Sequence, residues 1–255
     1  MKYRKQASIW LTRDAVYVLK KQKSWYGKVQ IQQACHYTCQ HTWMKGGTYI
    51  QTVIHQLIET YYLQSWRITL LVGDTLLIWK KLTVPSNKKE EASQLAVWDE
   101  SLGDGSRMYA FDVQWTGNKQ ADGMYEWMLG AYPYDLVMDI IDAFETHDCL
   151  VERIDVVPAA AGRLCPVGEG LLYLLAGEEE IHVIGLRHGV PLSYGITEQL
   201  PEEAVQWLQA EAQLPVSMLW LDGSTRRWMH APIRKFVKEQ QTQWEIPWPT
   251  AVLMG

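Results

Sequence analysis

The spacing of the apolar residues alternates between strand-like and helical periods, and the same order of periods occurs twice along the chain. This repeat constrains the fold more than any other feature. Each series contains strand-like segments, one amphipathic helix and a final strand. In the first series the helix covers 50–61 and the final strand 67–72. In the second series the helix covers 201–213 and the final strand 217–221. We therefore predict a duplicated α/β fold with two lobes.

A separate unit interrupts the first lobe between residues 76 and 131. It begins with a strand at 76–84 and continues with a helix from Lys88, which Ser86 or Asn87 could cap. Apolar and polar residues then alternate with a period of two from Tyr109 to Trp115. A further strand at 124–129 completes a small α+β block. The first lobe resumes with a helix after Pro133 and a strand at 150–157.

Composition excludes several classes of protein. The formal charge of -5 and the isoelectric point near 5.8 argue against a general nucleic-acid binder, whose surface is usually basic. The hydrophobic fraction of 47% excludes an intrinsically disordered chain. The chain holds 13 tryptophans against three phenylalanines, so the positions of the tryptophans bear on core packing and on binding surfaces.

The ends of the chain and its cysteines indicate the compartment. The basic residues of the N-terminus are not followed by an apolar signal core, and the longest apolar stretch, 68–79, is too short to span a bilayer. Four cysteines in 255 residues do not make a disulfide framework. We expect a cytoplasmic protein without a membrane span of its own.

Three stretches carry a resemblance to a known family. The first runs from Arg67 to Asp74 and continues through 76–85; the second combines 94–100 with 109–114. The third runs from Met124 to the sequence Val-Pro-Ala-Ala-Ala at 157–161. In this order they resemble the actin-like ATPase superfamily, and within it the PilM-like proteins of type IV pilus assembly. The cytoplasmic domains of GspL-like secretion proteins share this fold.

The resemblance implies the domain organisation. It predicts an α/β, actin-like fold with two RNase-H-like lobes and a small α+β block inserted in the first. Residues 1–165 would form the first lobe, including the inserted block at about 76–131. Residues 166–255 would form the second lobe. A single helix separates the last two strands there, so we expect this lobe to be reduced.

The resemblance also implies where nucleotide would bind. Actin-like nucleotidases hold phosphates between two turns, each with a carboxylate and a glycine, because backbone N–H groups must approach the phosphates closely. In the first turn Trp10 occupies the acidic position and Thr12 the glycine position. In the second, Leu175 replaces the acid and Gly177 persists, and Glu178 to Glu180 place negative charge near any phosphate. A third turn near the adenosine corresponds to Asp222, Gly223 and Ser224.

These replacements predict a vestigial nucleotide pocket without catalytic activity. Apolar side chains at both acidic positions remove the ligands that would organise Mg²⁺, so we expect no cofactor and no catalytic residue. Residual binding of ATP with Mg²⁺ stays an alternative. No metal site is predicted, because Cys35, Cys39 and His41 lack further ligands at metal spacing, and a structural zinc ion takes four.

The resemblance implies a scaffold rather than an enzyme. Such a protein would serve a type IV pilus or a type II secretion-like assembly, dock a short cytoplasmic peptide of a PilN-like inner-membrane protein, and associate with that membrane through its partners. An assembly ATPase is a further partner that this role allows. The candidate docking residues lie in the inserted block, where large aromatic side chains are typical of interface hot spots: Trp98, Tyr109, Phe111, Trp115 and Trp127.

Two other functions remain open at this point. The chain could be a divergent actin-like ATPase that still binds ATP and Mg²⁺. It could also be a structural protein that assembles with copies of itself, because actin-like folds often polymerise. Most of the five aromatic residues of the inserted block could equally belong to its core.

Overall fold

A computed structural model describes most of the chain. The described residues are 4–13, 15–23, 29–38, 41–103, 107–164, 169–176, 180–197 and 218–221. In chain order the strands are β1 Arg4–Leu11, β2 Ala15–Lys23, β3 Val29–Thr38, β4 Arg67–Val72, β5 Ile78–Val84, β6 Tyr109–Lys119, β7 Tyr125–Pro133, β8 Leu150–Val156, β9 Glu169–Ala176, β10 Glu180–Arg187, β11 Val190–Thr197 and β12 Met218–Leu221. The α-helices are α1 Gly47–Tyr61, α2 Lys89–Ala96, α3 Tyr134–Glu145 and α4 Val157–Leu164. Short 3₁₀ helices cover His41–Lys45 and Glu100–Leu102.

The first lobe is built on a five-stranded mixed sheet in the order β3-β2-β1-β4-β8. The strands β1, β2 and β3 pair antiparallel, whereas β4 runs parallel to β1 and β8 runs parallel to β4. The connections between the parallel strands contain helices, since parallel neighbours need a long crossover. Apolar residues line both faces of the central strands, since Ile9 and Leu70 on one face and Trp10 and Leu71 on the other are all buried.

The helices α1 and α3 pack together on one face of this sheet. The buried stripe of α1 has the helical spacing seen in the sequence, and it consists of Ile50, Val53, Ile54, Leu57 and Ile58. The helix α3 contributes Leu136, Ile140 and Phe144 to the same core. Asp139 of α3 accepts a hydrogen bond from the backbone N–H of Gly47 at 2.6 Å, which satisfies a donor at the start of α1.

The inserted block is a three-stranded antiparallel sheet in the order β5-β7-β6, with α2 on one face. The buried residues Val84, Ala92, Ala96, Val113, Trp127 and Leu129 form its small core. The small α+β block predicted from the period-two alternation is therefore present. The opposite face of this sheet lies towards the two lobes, and the indole N–H of Trp79 donates to the carbonyl of Pro191 at 3.3 Å.

The second lobe repeats the strand order of the first. Its four described strands follow the order β11-β10-β9-β12, with three antiparallel strands and β12 parallel to β9. The first lobe has the same arrangement in β3-β2-β1-β4. The predicted duplication is thus visible in the topology. The helix predicted at 201–213 lies outside the described residues.

The helix α4 joins the two lobes. It follows β8 of the first lobe and packs against β10 and β11 of the second. A Cβ atom at Gly162 would lie 2.2 Å from the carbonyl oxygen of Gly189, so only glycine allows this approach. Gly73 at the end of β4 is equally confined, because a Cβ there would lie 2.3 Å from Val157 Cγ2. None of the helices in the described part of the chain has the length and apolar character needed to cross a membrane.

Candidate functional site

Trp10 lies at the junction of the two lobes. It is the penultimate residue of β1, before Leu11, and its side chain is completely buried. Its ring stacks on Tyr17 of β2, with the ring centres 5.3 Å apart. On the other side it meets His182 of the second lobe edge-on, with ring centres 5.2 Å apart. The residue at the predicted acidic position therefore forms an aromatic contact between the lobes.

Thr12 closes the hairpin between β1 and β2 through local hydrogen bonds. Its hydroxyl donates to the carbonyl of Ala15 at 2.9 Å and accepts from the N–H of Ala15 at 3.0 Å. The indole N–H of Trp43 donates to the carbonyl of Thr12 at 2.8 Å. Thr12 is fully buried by these contacts. The turn thus orients its hydroxyl and carbonyl groups towards the protein interior.

A buried polar group faces Trp10 from the second lobe. Glu180 and His182 share one face of β10, because side chains two residues apart point the same way. His182 Nε2 lies 2.9 Å from Glu180 Oε1, and His182 Nδ1 lies 2.8 Å from the hydroxyl of Tyr194 on β11. The His182 Nδ1 atom forms a hydrogen bond with the Tyr194 hydroxyl, whereas the close Nε2–Oε1 contact lacks hydrogen-bond geometry. Burial raises the pKa of Tyr194, and the negative charges of Glu180 and Asp74 raise it further.

A second buried carboxylate lies on the first-lobe side of this junction. Asp74 follows β4 and accepts hydrogen bonds from the Tyr132 hydroxyl at 2.5 Å and from the Leu76 N–H at 2.6 Å. Burial raises the pKa of Asp74, while the hydrogen bonds from Tyr132 and Leu76 oppose this shift. Burial also raises the pKa of Tyr132, so its hydroxyl remains a donor at neutral pH. Asp74 therefore ties β7 of the inserted block to β4.

The junction holds hydrogen-bonded carboxylates, but their geometry differs from that of a metal centre. Within the described ranges, no group of three or more histidine, cysteine, aspartate or glutamate side chains is arranged to hold a metal ion. The Glu180 carboxylate also accepts from the backbone N–H of Arg13 at 3.4 Å, which adds a polar link between the lobes. The remaining predicted pocket residues, Gly177, Asp222, Gly223 and Ser224, lie outside the described part of the chain.

A groove separates the inserted block from the first-lobe sheet. Its deeper part is a cavity of about 250 Å³. Five consecutive residues of β6, 110–114, line one side, and Ile154, Asp155 and Val156 of β8 line the other. Because consecutive residues of a strand point to opposite faces, a cavity lined by all of them meets the strand at its edge. Both β6 and β8 are edge strands of their sheets.

The groove widens towards the second lobe. This wider part is about 700 Å³ and shares Asp112, Val113, Gln114, Asp155 and Ala159 with the cavity, so the two parts are continuous. Beyond these shared residues it is lined by Lys89, Trp115, Arg153, Arg163 and His188, among others. The groove therefore has an apolar deep end and a wide end with several charged side chains.

The five predicted docking residues occupy different environments. Trp98 follows α2 and is 84% exposed, and Trp115 on β6 is 45% exposed beside the wide end of the groove. Tyr109 and Phe111 are half-buried. Phe111 lines the cavity, but its ring packs against the core of the inserted block.

Trp127 belongs mainly to the core of the inserted block. Its side chain is only 3% exposed, and its indole N–H donates to the carbonyl of Ser86 at 3.0 Å. It pairs directly with Trp115 across β6 and β7 and lines the wide end of the groove. Trp127 therefore lies behind Trp115 as part of the core, whereas the ring of Trp115 is accessible to a partner.

Several residues of these sites were absent from the sequence-based prediction. Asp74, Tyr132, His182 and Tyr194 at the lobe junction come from four different elements or turns. A signal existed only for Glu180 and His182, which alternate with apolar residues in a strand-like segment. For the others, only the folded arrangement identifies the partner.

The strand order and the two-lobed repeat define an actin-like fold. The comparisons agree with this class. The chain is similar to the solved structure of the PilM-PilN type IV pilus biogenesis complex, with a TM-score of 0.61 and 13% identity. That match covers 82% of this chain and 66% of the other, so the chain spans slightly less than two thirds of that relative.

Two further structures share the fold. One is a Bacteroides thetaiotaomicron protein with an actin-like ATPase fold and unknown function, at TM-score 0.55 and 10% identity, covering 92% of this chain and 86% of that one. The other is the cytoplasmic domain of EpsL, an inner membrane component of the type II secretion system of Vibrio cholerae, at TM-score 0.55 and 12% identity, covering 98% and 93%. No protein-family profile and no curated protein matches the chain. The predicted actin-like fold and the likeness to PilM and to a secretion-system cytoplasmic domain are confirmed.

Proposed function

We propose that this protein is a non-catalytic, actin-like scaffold of a type IV pilus or type II secretion-like assembly. In this role it docks a cytoplasmic segment of a PilN-like inner-membrane protein and associates with the membrane through that partner. The fold shared with the PilM of a PilM-PilN complex and with the EpsL cytoplasmic domain supports the assignment. An assembly ATPase remains a further candidate partner.

The observation that carries the proposal is the groove between two edge strands. In the described part of the chain, β6 pairs only with β7, so its outer edge presents N–H and C=O groups to the cavity. An extended peptide can add to such an edge, with main-chain hydrogen bonds giving affinity and side-chain pockets giving specificity. We propose that the partner segment lies along β6 and places an apolar side chain in the cavity.

The aromatic residues have separate roles in this proposal. Trp115 provides an exposed ring at the wide end of the groove, and Trp127 supports it from behind. Phe111 contributes mainly backbone groups, since its ring packs with the core of the inserted block. Tyr109 lies where β6 begins, and Trp98 is exposed after α2 but lines neither part of the groove.

The lobe junction supports the non-catalytic part of the proposal. A nucleotide held between the lobes would require space for phosphates beside the β1–β2 hairpin. At that position Trp10 contacts His182 across the junction, and both side chains are fully buried. We propose that the aromatic contact of Trp10 with His182 and the hydrogen bond from the Arg13 N–H to Glu180 hold the lobes together in place of nucleotide.

Filling the groove tests the docking proposal. Ala159 of α4 is half-buried and lines both parts of the groove, so Ala159→Leu places three additional carbon atoms in the path of the peptide. We expect affinity for the cytoplasmic segment of the PilN-like protein of the same organism to fall by roughly tenfold or more, the effect of losing an interface hot spot. The measurement is fluorescence anisotropy of the labelled segment.

The matched control is Ala121→Leu, the same substitution in an exposed turn of the inserted block. It should bind the segment as the unaltered protein does, and both variants should keep the thermal midpoint. Equal affinity of the Ala159→Leu variant and the control would contradict docking in this groove.

A further inference from the structure

Two arginines converge on one carboxylate at the wide end of the groove. The Nη2 atoms of Arg153 and Arg163 lie 2.7 Å and 2.5 Å from the same oxygen of Asp155, Oδ2. The other oxygen of Asp155 accepts the backbone N–H of Val156 at 2.9 Å. Each guanidinium has five N–H donors, so a single carboxylate oxygen leaves most of their donors for another acceptor.

The charges at this end of the groove do not balance. The cations are Lys89, Arg153 and Arg163, and the carboxylates are Asp112 and Asp155. Lys89 is paired with Asp112 at 2.7 Å, which leaves two guanidiniums for one carboxylate and a surplus of one positive charge. The two guanidiniums are partly accessible, since the side chains of Arg153 and Arg163 are 54% and 37% exposed, whereas Asp155 is 9% exposed. The surplus charge therefore faces the groove.

We propose that the segment docked in this groove carries an acidic side chain that binds Arg153 and Arg163. This inference rests on the proposed docking function and names the chemistry of the docked segment. Guanidinium groups bind carboxylates through paired N–H donors in a fixed fork, which makes this recognition specific for a planar acid. The deep cavity beside residues 110–114 takes an apolar side chain, and the acid follows towards Trp115, where β6 leaves the cavity.

The rise of an extended strand sets the spacing between the acidic and the apolar side chain of the docked segment. The cavity and the wide end overlap along β6 at residues 112–114. A strand advances about 3.3 Å per residue, and side chains on one face recur every second residue. The acid and the apolar side chain of the docked segment should therefore be roughly two to four residues apart.

Matched synthetic peptides test the inference. Three capped peptides share one alternating apolar and threonine sequence and differ at a single position near one end, which holds glutamate, glutamine or lysine. We expect the glutamate peptide to bind about threefold to tenfold more tightly than the glutamine peptide, as a partly exposed charged pair allows, and the lysine peptide to bind most weakly. The preference should shrink as salt rises, because accessible charges are screened. Fluorescence anisotropy at two salt concentrations measures both effects.

A variant in which the arginines and Asp155 are all replaced by uncharged residues tests whether these arginines recognise the acid. We call it the charge-neutral variant. The combined substitution Arg153→Gln, Arg163→Gln and Asp155→Asn removes the surplus charge without leaving an unpaired buried carboxylate, and it should abolish the preference for glutamate. The matched control is Arg67→Gln, which removes an arginine of similar exposure, 41%, from the opposite end of the first-lobe sheet. It should keep the preference.

The outcomes separate this inference from the docking proposal. Equal binding of all three peptides would overturn the acidic specificity and leave the groove as the docking site. Failure of all three to bind would overturn both. Concentration-dependent self-association that the charge-neutral variant abolishes would assign the arginines to contacts between copies of this chain and would also overturn the inference.

Discussion

Trp10 and Trp98 are chemically identical residues with opposite surroundings. Trp10 is fully buried between Tyr17 and His182, whereas Trp98 is 84% exposed at the end of α2. A buried indole contributes both apolar area and ring contacts, and an exposed one contributes little to folding. The tryptophans of this chain therefore include both residues that stabilise the fold and residues that are available to a partner.

Replacing each tryptophan by alanine should separate these two roles. We expect Trp10→Ala to lower the free energy of unfolding by about 3–5 kcal/mol, because it leaves a cavity at the lobe junction. The Trp98→Ala variant should stay within about 0.5 kcal/mol of the unaltered protein. Urea titration followed by circular dichroism measures both. Similar losses in the two variants would contradict the burial difference on which this expectation depends.

At the scale of elements, the short helix α4 both connects the two lobes and lines the groove. It connects β8 of the first lobe to the second lobe, and Gly162 brings it against the turn at Gly189. The same helix supplies Ala159 and Arg163 to the groove. A change in the packing of α4 should therefore affect both the lobe junction and the docking surface.

Gly162→Ala should be destabilising even though alanine favours helices. The helix propensity gained is about 0.5–1 kcal/mol, but the new methyl group would lie 2.2 Å from the carbonyl oxygen of Gly189. Overpacking of this kind costs about 1–3 kcal/mol, so we expect a net loss of about 1–2 kcal/mol in urea unfolding. The control Gln94→Ala, on the exposed side of α2, should change stability by less than about 0.5 kcal/mol. A stabilised Gly162→Ala variant would show that α4 and the turn can separate without cost.

At the scale of the whole molecule, side chains join the two lobes beside the β1–β2 hairpin, where the family resemblance predicts a vestigial phosphate turn. The contacts come from Trp10 and Arg13 on one side and from Glu180 and His182 on the other. A cleft closed in this way would need to lose aromatic packing before it admitted a nucleotide. This arrangement supports the proposed scaffold over the alternative of a divergent ATPase.

Millimolar Mg-ATP should leave the thermal midpoint of the protein unchanged. A ligand that binds only the folded state at a hundred times its dissociation constant stabilises the protein by about 2.7 kcal/mol, which a thermal scan detects readily. The scan is run beside an actin-like protein known to bind ATP as a positive control. A clear rise in the midpoint would favour the alternative of a divergent, nucleotide-binding ATPase.

The order of the elements, and through it the topology, follows from local patterns in the sequence. Alternation with a period of two and helical spacing involve only residues close together in the sequence, so they can be recognised without knowing the tertiary structure. They gave the repeat of three strands, a helix and a fourth strand, and the small block between residues 76 and 131. The prediction that Trp10 stands at an acidic position of the family also came from the sequence, through the strand and turn around it.

Which distant side chains meet depends on how the sheets and helices pack together. Asp74 and Tyr132, Trp10 and His182, and the two edge strands β6 and β8 are brought together by the packing of separate sheets. It also divided the predicted docking residues, since Trp127 lies within the core of the inserted block while Trp115 remains accessible. These outcomes depend on how elements are oriented in space, and a local pattern of apolar residues carries no information about the partner that will cover it.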